Sequence, residues 1–115
     1  MPSRPLPVPT EVPPDVAPHL PALHAALLEQ RRFRTDQLVG LGAEAPADDV
    51  RAEVLLTLRR AARVALSDID SALARMGDGR YGRCVYCDAT IPLERLEILP
   101  AVALCMACQR PERDD

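Results

Sequence analysis

The stretch Cys84-Val85-Tyr86-Cys87, followed after seventeen residues by Cys105-Met106-Ala107-Cys108, decides the fold of the C-terminal part of this chain. Two CxxC pairs at this separation have the spacing of a four-thiolate zinc site. Zinc binds its ligands tetrahedrally, with each thiolate sulfur about 2.3 Å from the ion. All 4 cysteines of the chain fall inside the motif. The sequence therefore predicts one structural Zn²⁺, with Cys84, Cys87, Cys105 and Cys108 as its ligands.

Three other uses of the cysteines compete with structural zinc. Two disulfide bonds would suit an exported protein, but the first residues, Met1 to Pro5, lack the apolar core of a secretory signal. A thioredoxin-like redox pair needs a βαβ setting, and no strand–helix–strand pattern surrounds either CxxC pair. Catalytic zinc is disfavoured because four thiolates leave no coordination position open to water. Structural zinc remains the favoured interpretation.

Composition points to one small, mainly helical protein. Its 115 residues include 1 Phe, 2 Tyr and no Trp, so a large mixed core is not expected. The net charge of -3 argues against broad sequence-independent nucleic-acid binding, which rests on a basic surface. Direct sequence-specific DNA binding is not expected either. Runs of arginine in the predicted helices are more often solvated helix faces than phosphate-binding patches. No apolar run approaches the roughly 20 residues that cross a membrane, and we expect a cytoplasmic protein without membrane contact.

Proline marks off the N-terminal segment. Residues 1–21 contain eight of the 12 prolines, and each proline fixes φ and removes a backbone donor. The segment is therefore predicted to be a disordered or polyproline-like arm. His19 in this arm and His24 just beyond it are isolated, and neither is expected to bind a metal.

Two helices are predicted between the arm and the cysteines. The first helix is predicted over residues 22–41 and is expected to end at Gly40 and Gly42. An imperfect apolar stripe begins just before this helix and runs along it, with the members Leu20, Leu23, Leu27, Phe33, Leu38 and Leu41. Residues 50–76 form the clearest helix, because apolar residues recur every three or four positions. These residues are Val54, Leu58, Ala61, Ala65, Ile69, Ala72 and Met76, with a second row at Leu55, Ala62, Leu66 and Leu73.

The short turn over residues 41–47 favours antiparallel pairing of the two helices. The predicted fold class is therefore mainly α, with an antiparallel two-helix coiled-coil hairpin over residues 22–77. A small four-cysteine zinc finger over residues 78–110 and a charged tail over residues 111–115 complete the chain.

Inside the predicted finger, residues 97–100 and 101–104 are expected to form short extended pieces that lead into the second CxxC pair. Apolar side chains are expected to pack around the metal, namely those of Tyr81, Ile91, Leu96, Ile98, Val102 and Leu104. Because so small a core cannot hold alone, metal binding and folding of this part should be one event.

The residues around the cysteines resemble the DksA/TraR family of bacterial zinc-finger proteins. The matching positions are Gly77, Gly79, Tyr81, Gly82, Ile91, Pro92, Arg95, Leu96, Glu97 and Leu104, together with the four cysteines. The resemblance implies a transcription regulator that binds RNA polymerase, with the helical hairpin in the secondary channel of the enzyme. It also implies acidic residues at the hairpin tip, near the catalytic magnesium. Family members often act together with the nucleotide alarmone ppGpp, which makes ppGpp a candidate ligand.

Two positions depart from the family pattern. The tip motif of the best-understood members, Asp-x-x-Asp-x-Ala, is absent, and Glu44, Asp48 and Asp49 are the candidate partner-binding residues at this tip. Asp is also a preferred helix N-cap, so Asp48 or Asp49 can equally serve the second helix alone. Asp88 follows Cys87 where many members place glycine.

Two functions remain in competition. The first is a zinc-binding transcription regulator that docks on RNA polymerase through the hairpin. The alternative is a zinc-stabilised protein-interaction module of the same fold, without the tip-mediated activity on polymerase. An enzyme is not expected, because the sequence offers no Ser/His/Asp constellation, no Gly-rich phosphate loop and no paired catalytic carboxylates.

Overall fold

The computed structural model describes residues 11–43 and 48–109. After a short 3-10 helix, Ala17–His19, the helices are α1 (Leu20–Ala43), α2 (Asp49–Gly77), α3 (Leu93–Ile98) and α4 (Met106–Gln109). Within the described residues, β pairing is limited to an antiparallel bridge between Arg83 and Thr90. The molecule measures 67 × 37 × 33 Å, because α1 and α2 form a rod and the cysteine-rich part packs against one end. The predicted mainly α fold class is confirmed.

A local signal accounts for the start of α2 but not for the end of α1. Helix α2 begins after Asp48, whose Oδ1 accepts a hydrogen bond from the backbone N–H of Arg51 at 2.7 Å. This side chain satisfies one of the backbone donors left unpaired at a helix N-terminus. Helix α1 continues through Gly40 and Gly42, so the prediction that these glycines end it was wrong. Glycine lowers helix propensity, but packing against α2 overrides so small a preference.

The face of α2 that meets α1 differs from the predicted stripe in the half farther from the cysteines. Leu55, Ala62 and Ile69, spaced by seven residues, are buried, as expected for a coiled-coil seam. Val54 and Leu58, which headed the predicted stripe, are 51% and 40% exposed. In this half of α2, the buried face is therefore shifted by one residue from the predicted stripe. One residue corresponds to a rotation of about 100° around the helix axis. Both rows of this helix are apolar, and periodicity alone does not choose between them.

The seam changes character along α1. Leu23 and Leu27 are buried at the end near the cysteines. Farther along, half-buried polar residues take the equivalent positions, and Arg34 Nη1 donates to Gln37 Oε1 at 3.0 Å. Phe33, predicted to lie in the stripe, is 63% exposed. On α2 the buried row continues toward the tip through Ala62 and Leu55, whereas α1 contributes only half-buried residues to that half of the seam.

Two arginines join the helices outside the apolar seam. Arg59 Nη2 on α2 donates to the carbonyl oxygen of Leu41 on α1 at 2.8 Å, which satisfies one of the carbonyls left unpaired at a helix C-terminus. Arg31 Nε and Asp70 Oδ1 form an ion pair at 2.7 Å. This pair is exposed and contributes about 0.2–1 kcal/mol.

The prediction of a disordered arm over residues 1–21 was wrong for residues 11–21. Val16 is fully buried, and Pro13 is among the most buried side chains. The carbonyl oxygen of Pro13 accepts hydrogen bonds from the N–H groups of Val16, at 2.9 Å, and Ala17, at 3.0 Å. Proline excludes a long helix here but allows this single turn, which places Val16 in the core. Residues 1–10 and the predicted tail, residues 111–115, lie outside the described part.

One apolar cluster joins the hairpin to the cysteine-rich part. Its buried members are Val16, Leu23, Leu27, Ile69, Ala72, Tyr81, Ile91 and Leu96. Within the finger, the expectation of an extended piece was wrong at Glu97 and Ile98, since both belong to α3. The helical turn directs Leu96 inward and leaves Ile98 77% exposed, so Ile98 is not part of the core. This cluster fixes the position of the cysteines against the hairpin.

Candidate metal centre

The first CxxC pair lies on a tight loop that the Arg83–Thr90 bridge closes. The N–H of Cys84 donates to the carbonyl of Ala89 at 2.8 Å, and the N–H of Asp88 donates to the carbonyl of Cys84 at 2.9 Å. Asp88 has a φ of 67°, in the left-handed region that glycine adopts freely and Asp tolerates better than most residues. Asp88 therefore adopts at this position a turn conformation that glycine would adopt without strain.

The second pair begins just before α4. Cys105 precedes this helix and Cys108 lies within it, and the N–H of Gln109 donates to the carbonyl of Cys105 at 3.0 Å. A hydrogen bond of 2.8 Å from the N–H of Val85 to the carbonyl of Ala103 joins the two loops. The backbone thus holds both CxxC turns side by side.

The four sulfur atoms lie close enough together to share one metal ion. All of them fall within 4.8 Å of one another, and the Sγ atoms of Cys87 and Cys105 are 3.7 Å apart. A tetrahedron with about 2.3 Å from zinc to each sulfur has edges of roughly 3.8 Å. None of the four cysteines forms a disulfide. The donor set and its spacing fit a structural Zn²⁺, as the sequence predicts.

The surroundings of the thiols make them unequal. Burial acts to raise the pKa of Cys84, but backbone hydrogen bonds from Cys105, Cys87 and Tyr86 outweigh it, and the pKa falls to about 6. The Tyr86 N–H lies 3.4 Å from Cys84 Sγ. Burial and the neighbouring thiols raise the pKa of Cys108 to about 12. Because zinc binds thiolates, metal uptake must release protons from this site, Cys108 in particular.

Tyr81 supports the site from the interior. Its side chain is fully buried, and its hydroxyl donates to the carbonyl oxygen of Pro100 at 2.8 Å. This bond links the start of the first loop to the segment that leads into the second. Burial raises the pKa of the Tyr81 hydroxyl to about 12, although Arg75 acts to lower it. The hydroxyl therefore stays protonated and remains a donor over the whole neutral range.

Arg75, near the end of α2, lies between the hairpin and the metal centre. It contributes to the walls of two clefts, each of which also includes Val85 of the first cysteine loop. Its Nη2 donates to the carbonyl of Val102 at 3.3 Å, whereas its buried Nε has no partner among the described residues. Burial lowers the pKa of this guanidinium. Sequence reasoning assigned no role to Arg75, and its position on a charged helix gave no signal.

The acidic tip residues lie at the opposite end of α2 from the metal centre. Asp48 and Asp49 are exposed, and a helix of 29 residues places them about 43 Å from its other end. Asp48 is the N-cap, while Glu44 lies outside the described residues. The structure therefore brings two of the three predicted tip residues together and shows a structural role for one of them.

Two further expectations can be compared with the structure. His19 and His24 are exposed and do not join the cysteine cluster. In the described part of the chain, no helix combines the length and the apolar character that spanning a membrane requires.

Comparisons with known proteins agree with this architecture. Residues 79–113 match the model of the prokaryotic DksA/TraR C4-type zinc finger. The structure is similar to that of the transcription factor DksA2 from Pseudomonas aeruginosa, with a TM-score of 0.60 and 28% identity over 75% of this chain and 76% of that one. A stretch of 59 residues, 51% of this chain, is 36% identical to general stress protein 16O of Bacillus subtilis (strain 168). That match spans only 36% of the relative's length.

Proposed function

This chain is a zinc-finger protein of the DksA/TraR family, and on that premise we propose that it regulates transcription by binding RNA polymerase. The observation that carries the proposal is the rod of α1 and α2, which projects from the metal centre and has carboxylates at its far end. Similarity to a solved transcription factor over three quarters of the chain supports it. In this role the protein acts as a regulator and not as an enzyme.

The zinc ligands are part of the proposal. Cys84 and Cys87 hold the ion from the first loop, and Cys105 and Cys108 hold it from the second. Their sulfur atoms lie within 4.8 Å of one another. With four protein ligands the site has no position open to substrate, so the metal serves folding. It fixes the finger against the hairpin base, and the hairpin then presents its tip in a constant direction.

At the tip, Asp48 and Asp49 are proposed to act together inside the secondary channel of the polymerase. Both side chains are exposed, and Asp49 begins the helix that Asp48 caps. Their negative charge, close to the catalytic magnesium, would alter the energetics of initiation. Glu44, the third candidate, stays a prediction from the sequence.

The test starts with affinity capture of the host RNA polymerase by the full chain, followed by transcription assays in vitro. Asp48→Asn combined with Asp49→Asn removes both charges while Asn at position 48 still caps the helix. We expect this variant to bind polymerase but to lose its effect on initiation. Asp36→Asn, an exposed change on α1, is the matched control and should retain both. If the unaltered protein does not bind polymerase, the proposal is wrong.

The same assays address ppGpp, which stays a prediction from the family resemblance. Repeating transcription with and without the nucleotide measures whether the effect of the protein depends on it. A response that is equal in both conditions excludes a joint action.

A second candidate function is that of an interaction module without tip-mediated activity. The observation that favours it is a row of exposed apolar residues on α2 near the tip, with Val50 73% and Val54 51% exposed.

The proline-rich segment is another part of the chain through which such a module could bind a partner. A variant lacking residues 1–10 tests whether this segment carries the interaction. The deletion must stop before Glu11, because the residues that follow pack into the core. Polymerase binding should survive it, whereas a partner that docks on the segment would be lost.

A further inference from the structure

Three arginines surround a cleft of about 430 Å³ beside the first cysteine loop. Arg75, Arg80 and Arg83 line it together with Cys84 and a single acidic residue, Asp88. Among the described residues, the one ion pair joins Arg31 and Asp70, so none of the three is paired with a carboxylate.

The backbone at the end of α2 places these arginines together. The N–H of Arg80 donates to the carbonyl of Arg75 at 2.8 Å, and the N–H of Gly79 donates to the carbonyl of Met76 at 3.3 Å. With Gly79 at a φ of 74°, this is the Schellman pattern that ends a helix and reverses the chain. It returns Arg80 to the side of Arg75, and Arg83 follows just before Cys84. The fold therefore places the backbones of all three arginines beside the same cleft.

The arginines make polar contacts only with neutral groups. Arg83 Nε donates to the carbonyl of Glu11 at 2.7 Å, and Arg75 Nη2 to that of Val102 at 3.3 Å. Arg75 is half-buried, and its Nε has no partner among the described residues. Asp68 interacts electrostatically with Arg75 but does not form an ion pair with it. A half-buried cation without a paired anion is costly to fold. A nearby negative charge other than a carboxylate would remove this cost.

The metal centre supplies such a charge. A Zn²⁺ ion with four thiolates carries a net charge of −2, and Asp88 adds a further −1, which together equal the three positive charges. We propose that Arg75, Arg80 and Arg83 form the counter-charge of the zinc–thiolate site. Their positive charge compensates the negative charge of the zinc–thiolate site, and that site in turn holds Arg75 at the hairpin base. Partners of metal ligands outside the coordination shell commonly change metal affinity about 10- to 100-fold.

The inference rests on the proposed cysteine ligands, so the experiment first measures zinc in the purified full chain by elemental analysis. About one zinc per chain supports those ligands, and its absence overturns both the ligands and the counter-charge. Zinc affinity is then measured by competition with a chromogenic chelator. Arg80 is exposed and its side chain makes no hydrogen bond within the described residues, so its replacement tests charge with little effect on packing.

We expect Arg80→Glu to weaken zinc binding at least about tenfold, and Arg80→Gln to weaken it less. Arg63→Glu and Arg63→Gln are the controls, since Arg63 is exposed on α2 and lies twelve residues, about 18 Å, before Arg75. These should bind zinc as the unaltered protein does. Arg75→Met should also weaken binding at least about tenfold, and Arg75→Lys should recover most of it. Equal affinities of Arg80→Glu and Arg63→Glu would overturn the inference, as would an Arg75→Lys variant as weak as Arg75→Met.

Discussion

The Nε of Arg83 donates a hydrogen bond of 2.7 Å to the carbonyl oxygen of Glu11, and this bond joins residues 72 positions apart in the chain. It ties the segment before α1 to the residue that precedes Cys84, the first cysteine of the cluster. Val16, on the same segment, fills the cluster shared by the hairpin and the finger. The N-terminal residues from Glu11 onward are therefore a structural part of the finger.

Val16→Ala tests this role of the N-terminal segment. Val16 is fully buried, and removal of its two methyl groups should lower the free energy of unfolding by about 1.5–3 kcal/mol. Val64→Ala is the matched control, because Val64 is 61% exposed on α2, and it should change stability by less than about 0.5 kcal/mol. Thermal and urea denaturation followed by circular dichroism measures both. Equal stability of the two variants would show that the segment is not part of the cooperative fold.

Three glycines near the end of α2 give a graded series of alanine substitutions. Gly82 has a φ of 92°, and a Cβ there would lie 2.9 Å from Cδ of Pro13. Gly79 has a φ of 74° but open space around it, and Gly77 has open space and lies in the helix. Gly79→Ala should cost about 1–2 kcal/mol from the left-handed backbone. Gly82→Ala should cost more, because the clash with Pro13 adds to the same strain.

Gly77→Ala serves as the reference of this series and should stabilise the protein by roughly 0.5–1 kcal/mol, since alanine favours helix. The free energy of unfolding is therefore expected to be highest for Gly77→Ala. It should be lower for the unaltered protein, lower again for Gly79→Ala, and lowest for Gly82→Ala. If Gly82→Ala and Gly79→Ala were equally stable, Pro13 would not pack against Gly82.

Tyr81→Phe tests the hydrogen bond to Pro100. The change keeps the buried ring but leaves the Pro100 carbonyl without this donor, at a cost of about 1–3 kcal/mol.

Tyr81 also makes stability depend on pH in the alkaline range. Its pKa is about 12 in the fold and about 10 when unfolded, so stability from this residue is complete below pH 10 and falls as the pH rises toward 12. Urea denaturation between pH 8 and 11 should show a decline that Tyr81→Phe reduces. An identical decline in both proteins would assign it to other groups.

The sequence was sufficient for the features that local chemistry determines. The CxxC spacing predicted the cysteine cluster, and the short turn between two apolar stripes predicted the hairpin. Asp48 was one of two candidates for the cap of α2. Each of these rests on residues close in sequence or on a ligand geometry that fixes spacing in advance.

The features that the sequence did not reveal depend on contacts between distant residues. Over residues 11–19 the helical structure is limited to a single 3-10 turn, Ala17–His19, as the proline content suggests. Proline content could not show that Val16 joins the apolar cluster between the hairpin and the finger. Likewise, both rows of α2 are apolar, and only the presence of α1 selects Leu55 over Val54. The role of Arg75 depends on the fold of the cysteine loops around it, which periodicity along α2 cannot indicate.

Cys84→Ser tests the metal centre directly, with Val85→Ser as the control in the same loop. Cys84 is buried and is a proposed ligand, whereas Val85 is 59% exposed. Loss of one thiolate should lower the zinc content well below one per chain, while Val85→Ser should retain it. Because the finger folds with its metal, Cys84→Ser should also lower the melting temperature. Tyr81, Ile91 and Leu96 would then leave the cluster they share with Ile69 and Ala72.

In the same variant, the helical circular dichroism signal should decrease only in part. Most of the helix lies in α1 and α2, with 24 and 29 residues, and the seam beyond the shared cluster does not involve the finger. A chelator added to the unaltered protein should reproduce this partial loss, and added zinc should reverse it in that protein but not in Cys84→Ser. Full zinc content in Cys84→Ser would contradict the assignment of Cys84 as a ligand, because removal of its thiolate would then leave zinc binding unchanged.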